Sequence, residues 1–250
     1  MRMDIKMDEG FQFGLGVFET IAVEEGRLLL LDRHLQRMEK AAQFFDLGTL
    51  LERGVTKERI NEFLAEQKTE DIHHGAIKII LSKENLIFQM RGNPYTEEDF
   101  LRGFVADISK VRRNETSPMA YHKTLNYGDC ILEKRAATAA GIQERIFMNT
   151  KGQLCEGTVS NIFFVRKNKI YTPQLLCGLL PGILREYVLE TSDVEETVIY
   201  PEELMYYDEC FVTNSLMGIM PVRQIGSICF PRRTMADEAR SLYESQKMSL

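Results

Sequence analysis

Gly16-Val17-Phe18-Glu19-Thr20-Ile21-Ala22-Val23, then Glu24-Glu25-Gly26, then Arg27-Leu28-Leu29-Leu30-Leu31 and Asp32, is the stretch on which the fold turns. Its first eight residues are rich in β-branched and aromatic side chains, which suit a strand. Glu24-Glu25-Gly26 offers a turn and Arg27–Leu31 a returning strand, so the segment reads as a hairpin. Asp32 can cap a helix in which Leu35, Met38, Ala42 and Phe45 keep helical spacing. A hairpin running straight into an amphipathic helix predicts an α+β domain, with helices on one side of an antiparallel sheet.

The same logic extends along the chain. Thr56 caps a second helix carrying Ile60, Phe63 and Leu64, and residues 76–81 and 86–90 pair as strands around Ser82–Asn85. Thr96-Glu97-Glu98-Asp99 reads as a capping box for a short helix ended by Gly103, with a strand at 104–108. Lys110 to His122 is polar and holds Ser-Pro, which is linker composition. The expected division is therefore a small N-terminal domain at 1–109, an interdomain loop at 110–122 and a larger C-terminal domain at 123–250. In that second part a helix is expected over 129–140, then strands near 146–148, 159–165 and 170–171. Gly182 opens a helix to Glu190, and strands at 194–199, 210–213 and 219–222 precede a terminal helix over 236–244.

Composition narrows the class. The chain has 250 residues, 44% hydrophobic and 27% charged, enough apolar material for a sizeable core. A net charge of −6 and a pI near 5.4 argue against a nucleic-acid partner. No signal-like segment opens the chain, and its apolar runs fall far short of the ~20 residues of a membrane span. The five cysteines and four histidines show no metal-ligand spacing, so a soluble cytoplasmic protein with reduced thiols and no metal is expected. Dinucleotide-loop, P-loop, nucleophile-elbow and zinc-protease motifs are missing.

Four features can carry chemistry. Lys123 follows the polar loop and opens what reads as a helix; an amine there sits in positive potential, which favours the neutral form a Schiff-base enzyme uses, although most lysines are solvated surface charges. Glu156 enters the apolar strand Ile162–Val165 through Gly-Thr-Val-Ser-Asn and needs a cationic partner, either a protonated cofactor nitrogen or a neighbouring arginine. Pro181-Gly182 at a helix mouth leaves the amides of Ile183 and Leu184 for an anion, and the turn Asn214–Gly218 offers more. Arg37 either joins such a phosphate site or lies on its helix surface beside Asp32 or Glu39.

Taken in order, these motifs become a resemblance. Phe13–Ile21 and Leu31–Arg37, His122-Lys123-Thr124-Leu125-Asn126-Tyr127, Glu156–Phe164, Thr172-Pro173, Gly178–Arg185 and Thr213–Val222 resemble the fold-type IV pyridoxal-phosphate enzymes. That family includes branched-chain aminotransferases, D-amino-acid aminotransferases and aminodeoxychorismate lyases. The resemblance implies the two-domain D-amino-acid aminotransferase-like fold in a homodimer, with pyridoxal 5′-phosphate as cofactor. It implies that Lys123 holds the cofactor as a Schiff base and moves the substrate proton, and that Glu156 faces the pyridine nitrogen. Arg37 would hold the phosphate with the amides of Ile183 and Leu184, Ser215 and the Leu216 amide, and Tyr127 would lie near the cofactor's phenolic oxygen.

The chain reads Phe18-Glu19-Thr20-Ile21-Ala22 where branched-chain aminotransferases usually read Phe-Glu-Gly-Ile-Arg. Lys78 with Ser82-Lys83 is similar to the Lys…Ser-Arg pattern of the lyases, with Lys83 in place of arginine. Substrate contacts are accordingly expected from Phe13, Lys83 and Arg91. The expected activity is lysis of 4-amino-4-deoxychorismate to 4-aminobenzoate and pyruvate in folate synthesis. The alternative is transamination of a D-amino or branched-chain amino acid to 2-oxoglutarate.

Overall fold

The computed structural model describes residues 4–250 and divides into two compact units, each α+β. Of the described residues, the first gathers 4–94, His122–Tyr127 and Lys247–Leu250; the second gathers Tyr95–Tyr121 and Gly128–Gln246.

In the first unit, α1 (Glu9–Phe13) precedes β1 (Gly16–Glu24), β2 (Arg27–Leu28), α2 (Leu31–Phe44), α3 (Lys57–Ala65), α4 (Thr69–His73), β3 (His74–Ser82) and β4 (Leu86–Gly92). The strands form one antiparallel sheet in the order β2-β1-β3-β4. Alternation along the strands gives it two distinct faces. Val17, Ile21, Val23, Ile77, Ile79 and Leu81 on one face pack against Met38, Ala41 and Ala42 of α2 and Ile60 and Leu64 of α3. The register of β1 on β3 places Phe18, Thr20, Lys78 and Ile80 together on the other. At the β1 edge, Val17 forms an antiparallel bridge with Thr124, so a segment remote in sequence joins this sheet.

In the second unit, α5 (Glu97–Arg102), β5 (Phe104–Arg113), α6 (Gly128–Ala139), β6 (Glu144–Asn149), β7 (Leu154–Gly157), β8 (Asn161–Arg166), β9 (Lys169–Pro173), α7 (Ile183–Thr191), β10 (Val194–Thr197), β11 (Glu209–Asn214), β12 (Gly218–Ile225), β13 (Ile228–Cys229) and α8 (Thr234–Gln246) follow in order. The sheet runs β10-β9-β8-β11-β12-β5-β6-β7, with β13 on β12. One face buries Ile162, Phe164, Val212, Met220 and Ile146 in a single core. On the other, Phe163 and Phe211 stack with ring centroids 4.9 Å apart.

Two expectations change here. The strand at 104–108, expected in the N-terminal domain, pairs in parallel with β12 and β6 and belongs to the larger sheet. It also runs on through residues 109–113, where a loop was expected, because the backbone of Arg112 and Arg113 pairs with Met148 and Asn149. Polar side chains there led to a loop reading, whereas backbone pairing decides a strand. The expected break at 110–122 thus gives way to a chain that leaves the first unit after Pro94 and re-enters it at His122.

Asp8 ties the start of the chain to the β3–β4 turn. Its carboxylate accepts from the Phe11 N–H at 3.1 Å, the Ser82 hydroxyl at 2.6 Å, the Glu84 N–H at 2.8 Å and Asn85 Nδ2 at 3.0 Å. Burial alone would raise its pKa, but these donors outweigh it and lower the pKa to about 2. A depressed carboxylate stabilises the fold above its unfolded pKa of about 3.9, and that contribution is lost as pH falls toward 2. Asp8→Asn is expected to lower the melting temperature at neutral pH, with the gap to wild type closing on acidification below about pH 4. A gap independent of pH over that range contradicts this role.

Candidate active site

Phe18 is the centre of a cluster of candidate residues within the first unit. Its N–H donates to the Lys123 carbonyl at 3.0 Å, and the Leu125 N–H donates to the Gly16 carbonyl at 2.8 Å. These bonds lay residues 123–125 along β1, so that Lys123 lies opposite Phe18 and shares its face. Gly16 permits the approach, since a Cβ there would lie 2.6 Å from Leu125 Cδ1 and 2.9 Å from the Leu81 carbonyl. Lys123 Nζ lies 4.6 Å from the Phe18 ring centroid and 5.5 Å from that of Tyr127, whose ring meets Phe18 edge-on at 5.3 Å. Lys78 Nζ also lies 4.6 Å from the Phe18 ring. Burial, and then the charge of Arg91, hold the Lys78 pKa below its ordinary value. His122 stacks on Phe44 at 4.4 Å and holds the segment from its other end.

On the opposite face of β1, Glu19 meets α2. Arg37 Nε donates to Glu19 Oε1 and Nη2 to Oε2, both at 2.7 Å, and His34 Nδ1 lies 2.7 Å from Oε2. Glu19 and His34 are fully buried. Burial would raise the Glu19 pKa, but the Arg37 guanidinium and then His34 hold it far below the carboxylate range. Burial holds His34 below its ordinary pKa against the pull of Glu19. The imidazole is therefore neutral, with Nδ1–H donating to an acceptor-only carboxylate. His34 Nε2 has no hydrogen-bond partner among the described residues.

The second unit presents an acid and an anion cradle. On β7, Glu156 Oε1 accepts from Arg113 Nη2 at 2.8 Å and Oε2 from the Leu180 N–H at 3.0 Å. The loop after it is held by Glu144, a fully buried carboxylate on β6. Glu144 accepts from the Thr158 N–H at 3.0 Å, from the Thr158 hydroxyl, and from the Ser160 hydroxyl at 2.8 Å. A Cβ on Gly157 would fall 2.2 Å from Ser160 Oγ, which accounts for the glycine after Glu156. Gly182 caps α7 without a side-chain acceptor, and a Cβ there would fall 2.0 Å from Asn161 Oδ1. The first-turn amides of Ile183 and Leu184 have no acceptor within the helix. Thr213, in register with Asn161 on the neighbouring strand, has a buried hydroxyl with no hydrogen-bond partner among the described residues. A glycine-lined helix mouth beside a buried hydroxyl that lacks a partner fits a phosphate, and an ionised Glu156 fits a protonated pyridine.

The family model for class IV amino-transferases matches residues 16–225, most of the chain. The chain belongs to the class IV aminotransferase family. Members of this family are pyridoxal-phosphate-dependent enzymes, which makes the chain an enzyme of that kind. The chain is 30% identical over 241 residues to the aminodeoxychorismate lyase of Bacillus subtilis, covering 88% of this chain and 81% of that one. It is equally 30% identical over 225 residues to a Thermotoga maritima protein named for branched-chain-amino-acid aminotransferase activity, covering 86% and 78%. The crystal structure of the 4-amino-4-deoxychorismate lyase from Pseudomonas aeruginosa shares the fold with a TM-score of 0.82 at 23% identity, covering 98% and 96% of the two chains.

Several residues of this class IV aminotransferase family member lie elsewhere than their spacing suggested. Lys123 opens no helix: α6 begins at Gly128, and the lysine sits in an extended edge segment without a helix dipole behind it. Arg37 pairs with Glu19 between α2 and β1, while Asp32 engages Lys57 and Glu39 accepts from Gln43 and the Leu50 N–H. The Leu216 amide, expected to face phosphate, donates to Asn214 Oδ1 at 2.9 Å. Lys83 lies on the β3–β4 turn with Nζ 3.1 Å from the Asp46 carbonyl, and Phe13 is 64% exposed on α1. Arg91 shares the sheet face of Lys78, since Ala76 pairs with Arg91 and Lys78 with Gln89.

Glu19, Glu144 and Thr213 were not singled out from the sequence as site residues. Lys78 stood out only as part of the Lys…Ser-Arg pattern, with the substrate contact expected from Lys83. Glu144 left no signal, since it opens β6 between Gln143 and Arg145 like a surface charge. Glu144→Gln replaces an acceptor by an amide donor facing hydroxyl and N–H donors. It is expected to cost about 1–3 kcal/mol in urea unfolding, and an unchanged midpoint contradicts its hold on the loop.

Proposed function

We propose that the protein is a lyase that converts 4-amino-4-deoxychorismate to 4-aminobenzoate and pyruvate, acting as a cytoplasmic homodimer in folate synthesis. The observation that carries this reading is the placement of Lys78 and Arg91 on the same sheet face as Lys123, with Lys78 and Lys123 against one aromatic ring. A substrate with two carboxylates needs fixed cations beside the reacting amine, and a partly desolvated lysine in a strand supplies one without a mobile loop. The similarity to the Bacillus subtilis lyase supports the same reading.

Several residues of the chain match what pyridoxal phosphate requires. Lys123 is the amine that would join its aldehyde, and Glu156 would face the ring nitrogen while remaining paired with Arg113. Arg37, the Ile183 and Leu184 amides and the Ser215 hydroxyl would hold its phosphate, and Tyr127 would flank the ring. Bound there, the cofactor supplies an electron-withdrawing ring that acidifies the C–H beside a substrate amine. Lys123 Nζ takes the proton from the ring carbon that bears the amine. The bond from the neighbouring ring carbon to the enolpyruvyl oxygen breaks, the released enol takes a proton on carbon to give pyruvate, and the ring becomes aromatic. One base suffices because aromatisation drives the elimination. The expectation for Lys83 passes to Lys78 in this reading, since Lys83 is engaged at Asp46.

The same lysine would serve transamination, and the Thermotoga maritima relative favours that second reading. Pyruvate release from aminodeoxychorismate with no keto acid present distinguishes the two. Lysis without an acceptor is expected, and turnover that requires both an amino donor and a keto-acid acceptor makes the protein a transaminase. Lys123→Ala is expected to lose at least about 10²–10⁴-fold in kcat. Lys78→Met is expected to raise KM about tenfold with little change in kcat, as for a group that binds carboxylate equally before and during the reaction.

A further inference from the structure

Asn161 takes no part in the chemistry above, yet it is buried at the start of β8 and its side chain reaches the loop that leads into α7. Asn161 Nδ2 donates to the Leu180 carbonyl at 2.9 Å. Its Oδ1 lies against Gly182, 2.0 Å from where a Cβ would stand. One amide group thus touches the residues on both sides of Pro181. Proline has no N–H to offer, so the chain at this point is anchored through Leu180. Both backbone groups of Leu180 are engaged: its N–H donates to Glu156 Oε2 at 3.0 Å, and its carbonyl accepts from Asn161. Helix α7 follows at once, with Gly182 as its N-cap and the Gly182 carbonyl accepting from the Glu186 N–H at 2.9 Å.

Leu180 and Pro181 are only half-buried, a setting in which water satisfies a carbonyl nearly as well as a side chain does. What water does not supply is direction. The first-turn amides of α7 have no acceptor within the helix, and their bearing follows from where Leu180 and Gly182 are held. Asn161 also stands in register with Thr213 on β11, whose buried hydroxyl has no hydrogen-bond partner among the described residues. That hydroxyl therefore lies beside the side chain on which the helix mouth rests. All of these groups belong to the second unit.

We propose that Asn161 is a positioning residue for the cofactor phosphate, setting the direction of the Ile183 and Leu184 amides through its hold on Leu180 and its contact with Gly182. This rests on the reading that the mouth of α7 takes that phosphate. It gives the asparagine after Glu156-Gly157-Thr158-Val159-Ser160 a task of its own, since Leu180 is held by Glu156 on its N–H side and by Asn161 on its carbonyl side.

The test compares binding of pyridoxamine phosphate and of pyridoxamine to the full chain, freed of bound cofactor, by equilibrium dialysis. The two ligands differ only in the phosphate, and neither has an aldehyde for Lys123 to take. Asn161→Ala is expected to weaken pyridoxamine phosphate about tenfold and pyridoxamine by less than about twofold. Nitrogen-15 relaxation of the ligand-free protein is expected to show lower order parameters for the Ile183 and Leu184 amides in Asn161→Ala than in wild type. Equal losses for both ligands overturn the proposal, marking a purely structural role. A phosphate-selective loss with unchanged order parameters overturns it too, since Asn161 then acts by direct contact. If pyridoxamine phosphate leaves the Ile183 and Leu184 amide resonances of wild type unmoved, the reading of the helix mouth fails and this inference with it. If those resonances move in wild type but Asn161→Ala keeps wild-type selectivity, this inference alone fails. Should Asn161→Ala not fold, Asn161→Ser, too short to reach the Leu180 carbonyl, takes its place; it is expected to show the same phosphate-selective loss, and wild-type affinity for both ligands overturns the proposal.

Discussion

Two backbone hydrogen bonds, Phe18 N–H to the Lys123 carbonyl and Leu125 N–H to the Gly16 carbonyl, carry the constraint on which the candidate site depends. They add residues 123–125 to a sheet built by the first ninety or so residues, and they decide which way Lys123 points. Side chains alternate along a strand, so a slip of one residue would turn the lysine toward the helices and Thr124 toward Phe18. Gly16 makes that register possible by leaving room for Leu125. Phe18 and Tyr127 then give the lysine aromatic walls, and Lys78 reaches the same ring from β3.

Each unit holds buried carboxylates, and each of these is satisfied in a different way. Glu19 holds a guanidinium and an imidazole, Glu144 collects hydroxyls and an amide from one loop, and Glu156 divides its oxygens between Arg113 and a backbone N–H. An unpaired charge at any of these depths would cost several kcal/mol, so each carboxylate dictates what surrounds it. That is why charge-rich stretches of this acidic chain adopt strand positions. Arg113 extends β5 where its composition reads as a loop, because its guanidinium is needed beside Glu156 and its backbone pairs with Asn149.

Local chemistry was legible from the residues alone. The β1–β2 hairpin, the capping box of α5 and the Pro-Gly mouth of α7 stand where turn residues put them, whereas α2 begins at Leu31 with Leu30 rather than Asp32 at its N-cap, and β2 ends at Leu28 rather than Leu31. Lys123 was picked out as an amine following a polar loop, Glu156 as a carboxylate entering an apolar strand, and Arg37 as the basic residue a phosphate site would use. What changed was the environment of Lys123. The helix expected over 129–140 begins at Gly128, and the lysine lies ahead of it in an extended segment that bridges to β1. A local motif was read there without the strand that competes for it.

The sequence by itself determined the α+β class, the element types and the residue kinds able to do the chemistry, because periodicity, capping and turn preferences act within a few residues. Only the tertiary structure decided that β5 lies in the larger sheet, that Lys78 rather than Lys83 stands with Lys123, and that Arg37 is held by Glu19. Those outcomes follow from strand register and from the pairing of buried charges. Both join residues tens of positions apart, at distances that no local pattern encodes.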